Sequence, residues 1–218
     1  PKAAARVAVL DPTLTLSQPR RVTACTGLDA MTHAVETAVT RPKNELSWLY
    51  SREAFRLTVR NFETVLDHPD DLEARAGMQL GAAYAGMAIE LSMLGAAHSA
   101  ANPLTARFGM IHGQAVSLML PHVIRFNGQD TAAREAYRDL MDYAGMARDG
   151  GDPASALAAR LEGLLAAAEM PSSITECGVT AAANPALAKE AAGQWTAQFN
   201  PRAVTAADFE SFYQAAMS

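Results

Sequence analysis

The clearest pattern of apolar and polar positions lies between Glu45 and Leu66. Trp48, Phe55, Val59, Phe62 and Leu66 recur at intervals of three, four and seven residues, the period of an amphipathic helix with one buried stripe. An acidic loop, residues 67–71, follows, and Asp70 or Asp71 is placed to cap the next helix. That helix, about residues 72–94, carries Gly77, Gly81 and Ala85 at i, i+4 and i+8. Glycine costs about 1 kcal/mol against alanine in a helix interior. Its repetition therefore predicts a helix whose backbone another helix approaches closely, and makes this the expected central, most buried element.

Similar patterns predict helices over 27–39 (closed by Arg41-Pro42), from Gln114 with a kink or break at Pro121, and over 131–147. Residues 148–152 read as a loop, after which Asp152-Pro153 opens a further helix. Asn184-Pro185 repeats that signal before a helix running through Trp195, and Thr205 with Asp208 resembles a capping box before residues 209–217. Only residues 6–10, a short β-branched run, read as a strand, followed by an extended segment from Asp11 to Arg20. A lone strand cannot satisfy its own backbone and calls for a partner elsewhere. The expected fold is all-α: one domain over 1–218, about eight or nine helices with a short N-terminal strand.

Composition narrows the picture. Half of the 218 residues are hydrophobic, enough for one substantial core. Net charge is −5 with no Lys/Arg run, which argues against nucleic-acid binding. Apolar stretches are interrupted well before the ~20 residues a membrane span needs. Cys25 and Cys177 form no CxxC pair and read as reduced thiols in a cytoplasmic protein. The chain begins at Pro1 rather than methionine, so it is expected to be a fragment or a processed chain.

The candidate chemistry rests on histidines. His98 and His112 flank Asn102-Pro103. In one straight helix they would stand roughly 21 Å apart, but Pro103 is expected to end the helix near Asn102 and let the chain turn back. Upstream, Asp29 and His33 at i and i+4 share a helix face. One carboxylate and three imidazoles suit a divalent ion such as zinc or iron. Structural zinc sites are typically rich in cysteine, so this set leans towards catalysis. An Asp–His pair at this spacing is nonetheless common, and His98 and His112 taken alone read more readily as packed, hydrogen-bonded histidines than as ligands. Glu36 reads as a partner behind the ligands or, in preference, as a surface acid; His68 reads as solvated and His122 as structural.

Taken together, GLDAMTHAVE, then GxxHxxxxPL about sixty residues on, then HGxxxxLxLPHVIRFN, resemble the iron-containing (group III) alcohol dehydrogenases. DPTLT before the first motif and FNPRAVTAADF near the end extend the resemblance over essentially the whole chain. It implies that Asp29, His33, His98 and His112 hold Fe2+, or Zn2+ or another divalent metal. It also implies the C-terminal domain of the dehydroquinate synthase-like fold and NAD- or NADP-linked interconversion of small alcohols and aldehydes, with the alkoxide held on the metal. Two positions depart from the pattern. Asn102 stands where many members carry a histidine beside substrate and nicotinamide, and it cannot carry a proton at neutral pH. Thr105 stands where glycine is frequent. The segment after DPxLT lines the cofactor cleft in the family, which points to Leu14 and Ser17 as nicotinamide-side contacts.

The chain has no strand–glycine-rich turn–helix unit, and RDGGD at 148–152 lies between helices. The N-terminal nucleotide-binding domain is therefore expected to be absent from this chain and to act as its partner, and the chain alone is expected to be inactive. A homo-oligomer is compatible with the resemblance. The rival readings are a keto-acid reductase of the same fold resembling maleylacetate reductase, and a non-catalytic metal-binding or interaction domain.

Overall fold

The computed structural model describes residues 6–146 and 151–218. Nine α-helices make up most of them: α1 (Arg20–Thr37), α2 (Glu45–Asp67), α3 (Leu72–Ser92), α4 (Ala96–Phe108), α5 (His112–Asn127), α6 (Thr131–Tyr143), α7 (Pro153–Ala167), α8 (Asn184–Ala192) and α9 (Ala206–Ala215). No strand occurs among the described residues. The expected one at 6–10 lies exposed with nothing to pair against, Val7 being 80% and Val9 84% accessible. The segment expected to be extended instead winds into a 3-10 turn over Pro12–Thr15, because the Asp11 carboxylate accepts from the Thr13 backbone and hydroxyl. Part of the predicted loop at 148–152 falls outside the described residues.

Local signals set most helix ends. Asn44 caps α2 in a reciprocal box with Ser47, Asp71 caps α3, Asp152 caps α7 with Pro153 at its first position, and Thr205 with Asp208 closes the capping box on α9. Asn184 is the exception. It lies inside α8, and its amide donates to the Glu210 carbonyl, tying α8 to α9. Trp195 then falls in a separate 3-10 turn, Trp195–Phe199.

Burial corrects the expected hierarchy of helices. α2 and α3 do pack closely: a Cβ at Gly81 would lie 2.7 Å from Thr58 Cγ2 and 3.2 Å from the Ala54 carbonyl. Yet α3 is an outer helix, with Leu72, Met87 and Leu91 exposed. Glycine repetition reports how near one neighbour comes, not how many neighbours there are. The inner helices are α1, α4 and α5. α1 begins at Arg20, seven residues before the predicted start, and Thr23, Ala24 and Cys25 in that added stretch are buried.

Pro103, expected to end its helix, and Pro121, expected to kink or break its own, both lie inside helices, Pro103 in α4 and Pro121 in α5. Each removes one backbone hydrogen bond. Their surroundings, including Ala100, Ala101 and Leu104 around the first and Met119, Leu120 and Val123 around the second, are essentially water-free, so packing outweighs the local loss. The reversal between His98 and His112 is made at Gly109, which caps α4 in the left-handed conformation at φ 65°. An earlier break, at Met93 with φ 69°, turns the chain by 107° between α3 and α4 and drives α4 into the core. No single helix is long and apolar enough to cross a membrane.

Candidate metal centre

Three inner helices converge on one carboxylate. Asp29 and His33 come from the middle of α1, His98 from the first turn of α4, and His112 from the first residue of α5. Asp29 Oδ1 lies 3.3 Å from His33 Nε2, 3.5 Å from His98 Nε2 and 3.9 Å from His112 Nε2. The His33 and His98 rings stack at 4.8 Å, and those of His98 and His112 tilt at 5.3 Å. The turn at Gly109 thus brings together the two histidines that a straight helix would keep apart.

The approach of α5 to α1 depends on Gly113. A Cβ there would fall 2.1 Å from the Cys25 carbonyl oxygen and 2.7 Å from its carbon. Only glycine lets α5 lie against α1 closely enough to hold His112 beside Asp29.

Glu36, read from sequence as a surface acid, is 3% exposed and stands behind His98. Its Oε2 is 2.5 Å from His98 Nδ1, and its Oε1 accepts the Ala97 N–H at 2.7 Å. The carboxylate thereby occupies the N-terminus of α4, where the helix dipole favours negative charge. Gly95 makes room for it, since a Cβ there would lie 3.1 Å from Glu36 Oε1. In the neutral ring, accepting from Nδ1–H fixes the imidazole tautomer and leaves the lone pair on Nε2, the nitrogen that faces Asp29. The spacing 29, 33, 36 is i, i+4, i+7, one continuous helix stripe; that signal could have placed Glu36 with the other two.

A second feature missed in the sequence lies next to it. Asn127 and Asn200, from the HVIRFN and FNPRAV motifs, exchange side-chain hydrogen bonds at 3.0 and 2.8 Å. Asn200 Oδ1 also accepts from Ala96 at the start of α4. Glu36 and this amide pair together satisfy backbone donors at the N-terminus of the helix that carries His98.

The electrostatics follow from burial and crowding. Burial alone would raise Asp29, but the three imidazoles around it, His98 foremost, hold it below the usual carboxylate range. Burial pushes His33 down to about 4 and lowers His112 as well. His98 is also opposed by burial, yet Glu36 and Asp29 together raise it to about 9. Two buried atoms facing one another, Asp29 Oδ1 and His98 Nε2, have no hydrogen-bond partner, a costly arrangement unless a further group satisfies them. Donors bound about 2.1 Å from an ion in tetrahedral geometry lie roughly 3.4 Å apart, close to the 3.3 and 3.5 Å from Asp29 Oδ1 to His33 and His98 Nε2, while His112 Nε2 stands further out at 3.9 Å. The residues fit a divalent cation.

The cluster is closed on one side and open on the other. His98 is 5% exposed at its side chain, whereas His112 is 40% exposed. Asn102 follows His98 by one helical turn, half-buried, and its amide donates to Gln194 Oε1 at 3.0 Å. Leu14 and Ser17 lie on the surface segment before α1, Leu14 being 76% exposed. His68 is exposed, and His122 is partly buried in α5 with its basicity lowered by that burial.

A carboxylate and three imidazoles gathered from inner helices form a donor set of the kind that divalent ions take. Residues 23–217 match the family model described as Fe-containing alcohol dehydrogenase family, C-terminal, and the chain belongs to that family. It is 34% identical to the 1,3-propanediol dehydrogenase of Citrobacter freundii, the match covering 90% of this chain and 51% of that protein. It is also 34% identical to aldehyde-alcohol dehydrogenase 2 of Entamoeba histolytica, over 96% of this chain and 26% of that protein. A crystal structure of 1,3-propanediol oxidoreductase superposes with a TM-score of 0.90 at 30% identity, covering 95% of this chain and 55% of the other. The sulfoacetaldehyde reductase of Bifidobacterium kashiwanohense, solved in complex with NAD+, gives 0.86 at 25% identity over 97% of this chain and 54% of the other. The chain spans about half the length, or less, of the relatives it matches.

Proposed function

We propose that this chain is the metal-binding half of an NAD(P)-linked alcohol dehydrogenase that interconverts small alcohols and aldehydes. Asp29, His33, His98 and His112 are the proposed ligands of Fe2+, with Zn2+ or another divalent ion as the alternative. The observation that carries the reading is the convergence of Asp29 Oδ1 and His98 Nε2, both buried and without partners, with two further imidazoles beside them. A divalent ion bound there would supply Lewis acidity towards a substrate oxygen.

The chain's own residues perform the rest. Glu36 holds His98 in one tautomer, and the buried wall formed by α1 and α4 keeps water from the back of the site. His112 borders the open face, from which substrate would enter. Asn102 is proposed to orient the substrate through its amide rather than to relay a proton. Leu14 and Ser17 are proposed to contact the nicotinamide side of the cofactor. The exposed apolar residues of that segment, Val7, Val9 and Leu16 among them, are proposed to face an N-terminal nucleotide-binding domain supplied by the rest of the enzyme. Two free thiols, Cys25 and Cys177, suit a cytoplasmic protein.

Elemental analysis of the purified chain beside an Asp29→Ala, His98→Ala double variant tests the assignment. About one equivalent of iron or zinc is expected in the parent and none in the variant. A parent that stays metal-free after anaerobic reconstitution with both ions would remove the metal reading. Activity is expected only once a nucleotide-binding half is supplied.

A further inference from the structure

The segment after the Trp195–Phe199 turn fastens the two inner helices α4 and α5 at one point. α5 begins with His112 and ends with Asn127, and α4 carries His98 in its first turn. Asn127 and Asn200 are each 1% exposed. Asn200 Nδ2 donates to Asn127 Oδ1 at 2.8 Å and to the Arg202 carbonyl at 2.9 Å. Its Oδ1 accepts from Asn127 Nδ2 at 3.0 Å and from the Ala96 N–H at 3.4 Å. Because a carbonyl can only accept, the bond to Arg202 fixes which end of the Asn200 amide is the donor and leaves Oδ1 for Ala96. Arg202 adds a second fastening: its guanidinium donates to the Phe126 carbonyl and lies 3.8 Å from the centre of the Phe126 ring.

Asn200 Oδ1 and Glu36 Oε1 crowd the same place. A Cβ on Gly95 would lie 3.2 Å from the first and 3.1 Å from the second. Each takes one N–H of the first turn of α4, Asn200 that of Ala96 and Glu36 that of Ala97. Two acceptors this close are tolerated because donors stand before both and only one of the two is a carboxylate. A second carboxylate in this place would repel Glu36 where little water is present to screen it. Glu36 in turn holds His98 Nδ1. We propose that Asn127 and Asn200 are positioning residues of the metal centre, a neutral amide pair that sets the first turn of α4 and leaves Glu36 without a second anion beside it, so that His98 Nε2 keeps its place opposite Asp29. The proposal rests on the metal reading given above. It adds that the affinity of the site depends on side chains from the RFN and FNPR motifs, acting through Glu36 and the α4 backbone.

The test is Asn200→Asp, which keeps the side-chain shape and adds the second charge. Zn2+ affinity is read by competition with a chromophoric chelator, and the Co2+ form by its visible absorption bands, which report ligand geometry. The chelator-treated parent is expected to take up about one equivalent of Zn2+. Asn200→Asp is expected to weaken Zn2+ binding about tenfold and to shift the Co2+ bands. In a Glu36→Gln background the same substitution is expected to cost less than about threefold, because the charge it would repel is gone. Any loss that comes only from the broken bonds to Asn127 and Arg202 would be the same in both backgrounds. Circular dichroism checks the fold. Asn127→Asp, which withdraws only the donor to Asn200 Oδ1, is the milder variant should Asn200→Asp not fold, with about threefold weaker binding expected. A parent that binds Zn2+ beside folded variants with unchanged affinity and Co2+ bands overturns the proposal and spares the metal reading. Equal losses in the two Glu36 backgrounds do the same. A parent that binds neither ion overturns both.

Discussion

The two sides of the cluster around Asp29 are built differently. Around His98 every group is enclosed: Glu36 holds its Nδ1, the start of α4 is capped by Glu36 and Asn200, and almost no surface reaches water. Around His112 the imidazole sits on the first residue of its helix, with no side-chain cap at Ile111 and a large exposed fraction. The enclosed side is completed by this chain, through contacts that also hold the fold together. The open side is positioned mainly by one backbone approach, at Gly113, and is where substrate and a second domain are proposed to act. Rigidity and access are thus assigned to different helices of a single site.

The sharpest test of that contrast pairs two substitutions of one type. His98→Ala leaves Glu36 as a buried unpaired acid and is expected to cost about 3 kcal/mol of stability, read by chemical denaturation. His112→Ala removes a partly exposed ring and is expected to change stability within about 0.5 kcal/mol. Both should weaken metal binding more than about a hundredfold in competition titrations. Equal losses of stability would erase the distinction between the two sides.

Gly113→Ala attacks the open side through the backbone. The added methyl has no room against the Cys25 carbonyl, so α5 must shift, at about 1–3 kcal/mol. Metal affinity should fall although no ligand is changed. Retained affinity would show that His112 does not need the close approach of α5.

Glu36→Gln keeps the shape of the enclosed side but removes its charge. Metal affinity is expected to drop about 10- to 100-fold. A pH series on the chelated chain gives an independent readout. His98 is raised from 6.5 to about 9 by Glu36 and Asp29 against its burial. Its contribution to stability is therefore complete below 6.5 and is lost as pH rises through about 9. His33, lowered to about 4 by burial, contributes in the opposite sense, its share being lost as pH falls from 6.5 through about 4. Thermal melts of the metal-free parent should thus weaken in both directions from mildly acidic pH. Glu36→Gln should flatten the alkaline limb and spare the acid one. An unchanged alkaline limb would mean that Glu36 does not govern His98.

The smallest effect is expected at the surface segment. Leu14→Ala should leave stability within about 0.5 kcal/mol and metal content unchanged, while raising the KM for the nicotinamide cofactor once the nucleotide-binding half is present. A fall in metal content would place Leu14 in the metal-binding wall instead.

Much of this molecule is written in short-range patterns. The stripe from Trp48 to Leu66 delivered α2 within a residue of its ends, and Asp71, Asp152-Pro153 and Thr205 with Asp208 delivered helix starts, because capping and amphipathic periodicity involve residues only a turn or two apart. The family was legible in the same way, from ordered motifs. The Asp29–His33 pair could be placed on one face for that reason as well.

What only tertiary structure decided concerns distance through space. Pro103 and Pro121 are strong local stop signals, yet both are carried inside helices by the packing around them. Gly77 and Gly81 announced a close neighbour but could not say that α3 lies on the outside. Glu36 was the costliest misreading: three residues past His33, its sequence surroundings do not reveal that the start of α4 arrives 2.7 Å away to claim its charge. A residue's neighbours along the chain set its conformation. Whether an acid meets water or a helix N-terminus depends on segments some sixty residues away, and only the folded core brings them together.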